Sequence, residues 1–130
     1  MATEFKVTLA NKPGSLARLA TALGDADVNI EAIQGSSGIE ETVIQFVTDD
    51  AKDAAVALQR VGFSHTQRDV VIVKVLDEPG MLGDVALVMS EAGINIDSVY
   101  VTTKGHVVLG VDDVAGAIQV AGGMAVIAPR

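Results

Sequence analysis

Hydrophobic and polar side chains alternate through Phe5-Lys6-Val7-Thr8-Leu9, the two-residue period of a strand with one buried face. The alternation stops at Pro13-Gly14. Beyond it Leu16, Leu19, Ala20 and Leu23 recur at three- and four-residue intervals, which predicts a helix with all four on its apolar face. Pro13 falls near the first turn, where its missing N–H is harmless. Val28 to Gln34 and Thr42 to Thr48 are β-rich and joined by a short Gly/Ser loop, a hairpin signal. Asp49 or Asp50 can cap a second helix, with Ala51, Ala55 and Leu58 on its inner face. Phe63 to Gln67 reads as a short closing strand.

The same pattern is then written again. Asn11-Lys-Pro-Gly-Ser-Leu16 and Asp77-Glu-Pro-Gly-Met-Leu82 lie 66 positions apart. That offset also pairs Phe5, Val7 and Leu9 with Val71, Val73 and Val75, Leu19 with Val85, Leu23 with Met89, and Val28-Asn29-Ile30 with Ile94-Asn95-Ile96. After the second strand it falls to 63, pairing Asp49-Asp50 with Asp112-Asp113, so the second copy has lost three residues from the hairpin loop. A loop is where such a loss costs least. The order βαββαβ, twice, predicts an α+β protein of two ferredoxin-like repeats, 1–68 and 69–130. Each is expected to be an antiparallel four-stranded sheet with two helices on one face. A unit of this size buries only about 60% of its unfolded surface. Pairing of the halves, and of two chains as a homodimer, is therefore expected.

Composition narrows the partners. With 49% hydrophobic and 20% charged residues the chain is a folding one, and Lys74 interrupts its best apolar run long before a membrane could be spanned. No basic stretch followed by an apolar one opens the chain, so secretion through a standard signal is not expected. Cysteine is absent, which removes disulfides and thiolate chemistry and fits a cytoplasmic setting. The net charge of −8, with Lys and Arg scattered along the sequence, argues against nucleic acid as a direct partner. So does the scarcity of aromatic side chains for stacking, with one Tyr, three Phe and no Trp.

The repeated loop offers some chemistry. Main-chain N–H groups of Gly14, Ser15 and Leu16, and of Gly80, Met81 and Leu82, open a helix N-terminus, which favours an anion such as a carboxylate. Asn11 and Asp77 just before the turn can accept hydrogen bonds from an ammonium group. Asn29 and Asn95 at the second strand offer both donors and acceptors. Donors for an anion and acceptors for an ammonium describe an α-amino acid zwitterion. A Pro-Gly turn repeated for structural reasons alone would leave the same trace.

Asn11-x-Pro-Gly-x-Leu16 followed by Val28-Asn29-Ile30 resembles the ACT domain family of small-molecule regulatory modules, and Asp77-x-Pro-Gly-x-Leu82 with Ile94-Asn95-Ile96 resembles a second copy. The likeness runs from Phe5 to Ala128. It implies regulation by amino acids bound where ACT domains pack together, with the loop before the first helix and the strand-two Asn lining the interface. Carried over, it marks Asn11, Gly14, Ser15, Leu16 and Asn29, and Asp77, Gly80, Met81, Leu82 and Asn95. Members with a serine site carry a His two residues before the loop Asn. Leu9 and Val75 stand there in this chain, which departs from that geometry.

Catalysis finds little support. Acylphosphatases share the topology, but their phosphate chemistry calls for an Arg in the first strand–helix loop, and neither copy has one. No nucleophile stands with a base, and no phosphate-cradling glycine loop exists. His65 and His106 lack spaced partners, and Asp49-Asp50 and Asp112-Asp113 suit helix capping better than a metal. No cofactor or metal is expected. The reading is an amino-acid sensor without an attached enzymatic domain, acting in trans on a protein partner, a metabolic enzyme or regulator. The alternative is a ligand-free interaction scaffold of the same fold.

Overall fold

The computed structural model describes residues 2–126. The chain forms two compact units, Thr3–Arg68 and the residues from Asp69 onward. In the first, β1 (Ala2–Ala10) is followed by α1 (Ser15–Asp25), β2 (Ile30–Ser37), β3 (Glu41–Thr48), α2 (Ala51–Val61) and the start of β4 (Thr66–Val73). The strand order is β2-β3-β1-β4, and β3 runs antiparallel to both β1 and β2. The second unit uses the rest of β4, then α3 (Met81–Glu91), β5 (Ile96–Val101), β6 (Val107–Val111), α4 (Val114–Ala121) and β7 (Ala125–Val126). There β6 lies between β4 and β5, and β7 pairs β4 on its other side. This is the expected split βαβ order, found twice.

The repeat survives in fine detail. A bulge between Ile30 and Ala32 in β2 recurs between Ile96 and Ser98 in β5, again 66 positions on. The turn after the first helix needs a positive φ, met by Asp27 at 59° in one copy and by Gly93 at 73° in the other. Each unit has its own core. Phe5 and Phe46 stack with ring centroids 5.4 Å apart beneath Leu19, Leu23 and Leu58. The second core puts Val71, Leu109, Val85, Met89 and Ala121 at the matching positions, a set of smaller side chains overall.

Three expectations change. Leu16 is not on the buried face but 52% exposed, because α1 starts at Ser15 and its first turn precedes the core contacts of Leu19 and Leu23. The inner face of α2 is Ala54, Ala57 and Leu58, with Ala51 and Ala55 packed at its margin. The strand expected at Phe63 to Gln67 begins only at Thr66 and runs without interruption to Val73. No Gly or Pro stands between Gln67 and Val73 to break it. Residues 127–130, the end of the second repeat, lie outside the described residues.

On the first sheet a polar chain crosses all four strands. Gln34 Nε2 donates to Gln45 Oε1 at 2.6 Å, Gln45 Nε2 to Glu4 Oε1 at 3.2 Å, and Arg68 Nε to the same Glu4 oxygen at 3.1 Å. Glu4 is buried, and its Oε1 accepts from both the guanidinium and an amide.

Candidate functional site

Among the described residues the four α-helices begin in two different ways. Asp50 caps α2 by accepting the Asp53 N–H at 3.1 Å, and Asp113 caps α4 by accepting the Gly116 N–H at 3.0 Å. By contrast α1 and α3 start from Gly14 and Gly80, in the left-handed region with φ of 91° and 89°, and neither has a side-chain cap. An L side chain is strained in that conformation, so the glycine is a requirement of the turn in both copies. The first N–H groups of a helix have no acceptor inside it. No side chain caps them here, and the Ser15 and Met81 N–H groups reach only the turn carbonyls of Lys12 at 3.4 Å and Glu78 at 3.3 Å, which leaves two helix N-termini able to receive an anion.

The other marked residues split between loop and strand. Asn11 is exposed, and its side-chain amide donates to Gly38 O at 3.3 Å while its N–H donates to Glu40 O at 2.8 Å, so it ties the loop to the β2–β3 turn. Ser15 opens α1 and closes a turn on Lys12 O at 3.4 Å. Leu16 and Leu82, one residue into their helices, are both largely exposed, and Asp77 is exposed with Met81 half-buried. Asn29 and Asn95 are exposed at the entries to β2 and β5. Asn95 lines a shallow pocket of about 380 Å³ with Ser90, Gly93 and Ile96.

Loop and strand residues do not meet inside one unit. Asn29 lies beyond the C-terminal end of α1, whose 11 residues span roughly 16 Å, and Gly14 lies at its N-terminal end. The same separation holds between Gly80 and Asn95 across the 11 residues of α3. A single small ligand can touch both sets only if they come from different domains.

Sequence reasoning missed a second concavity. A groove of about 830 Å³ lies between the β1–α1 junction and the α2–β4 junction, and it gathers Lys6, Lys12, Arg18 and His65 around Gly14 and Ser15. The basic residues are therefore not all scattered. Arg18 is held by donating from Nη2 to Val61 O at 3.1 Å and by lying 4.4 Å from the centre of the Phe63 ring. Among the described residues no group of three or more potential metal ligands is found, and no helix is long and apolar enough to cross a membrane.

A family model described as ACT domain matches residues 3–62 and again 70–124. Among solved structures, a protein from Bacteroides thetaiotaomicron superposes with a TM-score of 0.84 at 24% identity, over 92% of this chain and 85% of that one. The ligand-free regulatory subunit of aspartate kinase from Thermus thermophilus superposes with a TM-score of 0.70 at 20% identity, over 92% and 89%. Aspartate kinase from Synechocystis gives 0.63 at 19% identity, with 99% of this chain covering 27% of the kinase. At these identities the likeness is one of fold. No curated protein sequence matches the chain.

Proposed function

The chain belongs to the ACT domain family, with two copies of the domain, and from that premise we propose that it is a regulatory protein that binds an amino acid where one ACT domain meets another. The two domains are taken as 1–68 and 69–130. The observation that carries this reading is the pair of uncapped helices entered through left-handed Gly14 and Gly80. A ligand carboxylate would take the N–H of Leu16 or of Leu82, displacing the long turn bonds of Ser15 to Lys12 O or of Met81 to Glu78 O to gain a second donor, and Asn29 or Asn95 of an apposed domain would take its ammonium group. Asn11 and Asp77 would flank the loop. Such a ligand binds one packing of the domains better than another and so biases the surface shown to a protein partner. The resemblance to an aspartate kinase regulatory subunit supports a partner that is a metabolic enzyme. A homodimer in the cytoplasm completes the proposal, with the protein itself non-catalytic.

The hydrogen bonds from Asn11 to Gly38 and Glu40 favour a second reading, in which the loop is purely structural and the fold is a ligand-free scaffold. Thermal unfolding against the common amino acids at millimolar concentration separates the two. A ligand present at about 100 times its Kd adds about 2.7 kcal/mol. A selective rise in Tm that disappears in Asn29→Ala supports the sensor. No rise with any amino acid leaves the scaffold.

A further inference from the structure

We propose that the groove of the first unit is a separate binding site for a small dianion, a dicarboxylate or a phosphorylated molecule, and that the second unit has lost the charge needed to bind one. The chain carries 17 Asp and Glu against nine Lys and Arg, yet the groove is lined by three of those nine and by no carboxylate. Its volume of about 830 Å³ suits a small molecule. Lys6 reaches it from a strand, Lys12 from a turn and Arg18 from a helix, so three elements converge one sign of charge on one space. Concave, like-charged walls raise the local concentration of opposite charge. Arg18 is already fixed by Val61 O and Phe63, so its guanidinium loses little freedom when it meets an oxyanion.

The second copy serves as an internal control. At the same offset of 66, Glu78 replaces Lys12, Asp84 replaces Arg18, Asp77 replaces Asn11 and Ile72 replaces Lys6; only Lys74, in place of Thr8, adds a positive charge. Both copies keep the strand, the left-handed glycine and the helix. The fold therefore does not require cations at these positions, and their convergence in one copy calls for a ligand. The site abuts the amino-acid loop at Gly14 and Ser15 but includes neither Asn11 nor Asn29, so anion binding there does not depend on the residue proposed to take the ammonium group.

The test is an NMR titration of the ¹⁵N-labelled full chain with succinate, inorganic phosphate and, as the monoanion, acetate. The expected result is saturable shifts confined to amides of the groove, at least about tenfold tighter for a dianion than for acetate, and weakening as sodium chloride is added. Response to succinate alone assigns a dicarboxylate, to phosphate alone a phosphorylated ligand, and to both the shared dianion chemistry. Lys12→Glu with Lys6→Ala, or Lys12→Ala alone should the pair not fold, weakens binding, whereas Lys52→Ala on α2 does not. Asn29→Ala leaves anion binding intact, which separates failure of this site from failure of the amino-acid site. Acetate binding as tightly as the dianions, no shifts up to on the order of 10 mM, or equal binding in the lysine variants overturns the proposal.

Discussion

The carboxylate of Asp49 accepts the main-chain N–H of Asn29 at 2.9 Å, and Asp49 in turn donates its own N–H to Asn29 O at 3.0 Å. Asp112 and Asn95 repeat the exchange at 3.0 and 3.2 Å. In each Asp-Asp pair the first residue thus anchors the strand-two Asn and the second caps the following helix. Asp49→Ala should lower stability by about 1–2 kcal/mol and blunt any ligand response that depends on Asn29. Asp50→Ala should cost about 1 kcal/mol as a lost cap and leave that response intact. Urea midpoints measured with and without ligand check both. An Asp49→Ala protein indistinguishable from wild type would make the exchange incidental.

Two glycines of the first unit should respond to alanine with opposite signs. A Cβ added at Gly14 meets no atom within 4 Å, so only its φ of 91° resists, and Gly14→Ala should cost about 1–2 kcal/mol. Gly24 lies inside α1 with equally open surroundings and no positive φ. Gly24→Ala should therefore stabilise by about 0.5–1 kcal/mol. Chemical denaturation of the two variants side by side reads the difference, and equal effects would refute the conformational argument.

The order of elements was legible because hydrophobic period alone distinguishes Phe5-Val7-Leu9 from Leu19-Leu23, and the repeat supplied each reading twice. The Pro-Gly helix entry was legible for the same reason. Adjacent aspartates look alike in sequence, however, and only the hydrogen bonds divide anchor from cap. Leu16 fits a helical face by spacing, but periodicity does not say where along a helix packing begins. The cationic groove gathers Lys6, Lys12 and Arg18 from a strand, a turn and a helix against Phe63 to Thr66, a juxtaposition that only the fold makes. Its trace was nonetheless present, in the replacement of Lys12 and Arg18 by Glu78 and Asp84 at a constant offset.

Thr48, the last residue of β3, stands opposite Ile30 with its hydroxyl buried and without a hydrogen-bond partner among the described residues. A buried polar group left unsatisfied costs free energy that an apolar isostere does not. Thr48→Val keeps the shape and the β-branch, so it should stabilise the protein by about 1 kcal/mol. A Tm unchanged or lowered in Thr48→Val would mean that the hydroxyl is satisfied in solution.

The chain from Gln34 through Gln45 and Glu4 to Arg68 sets up the largest single-site effect we expect outside the cores. The Glu4 side chain is 1% exposed and that of Arg68 37%, so the carboxylate carries most of the desolvation while the guanidinium keeps contact with water. Removing the cation leaves a buried charge with weaker compensation, and Arg68→Ala should cost about 2–3 kcal/mol. A well-packed apolar pair needs no such compensation. Glu4→Met combined with Arg68→Met should therefore be more stable than Arg68→Ala alone, despite two substitutions. A double-mutant cycle on denaturation midpoints tests this, and additive losses would show that the two side chains act independently.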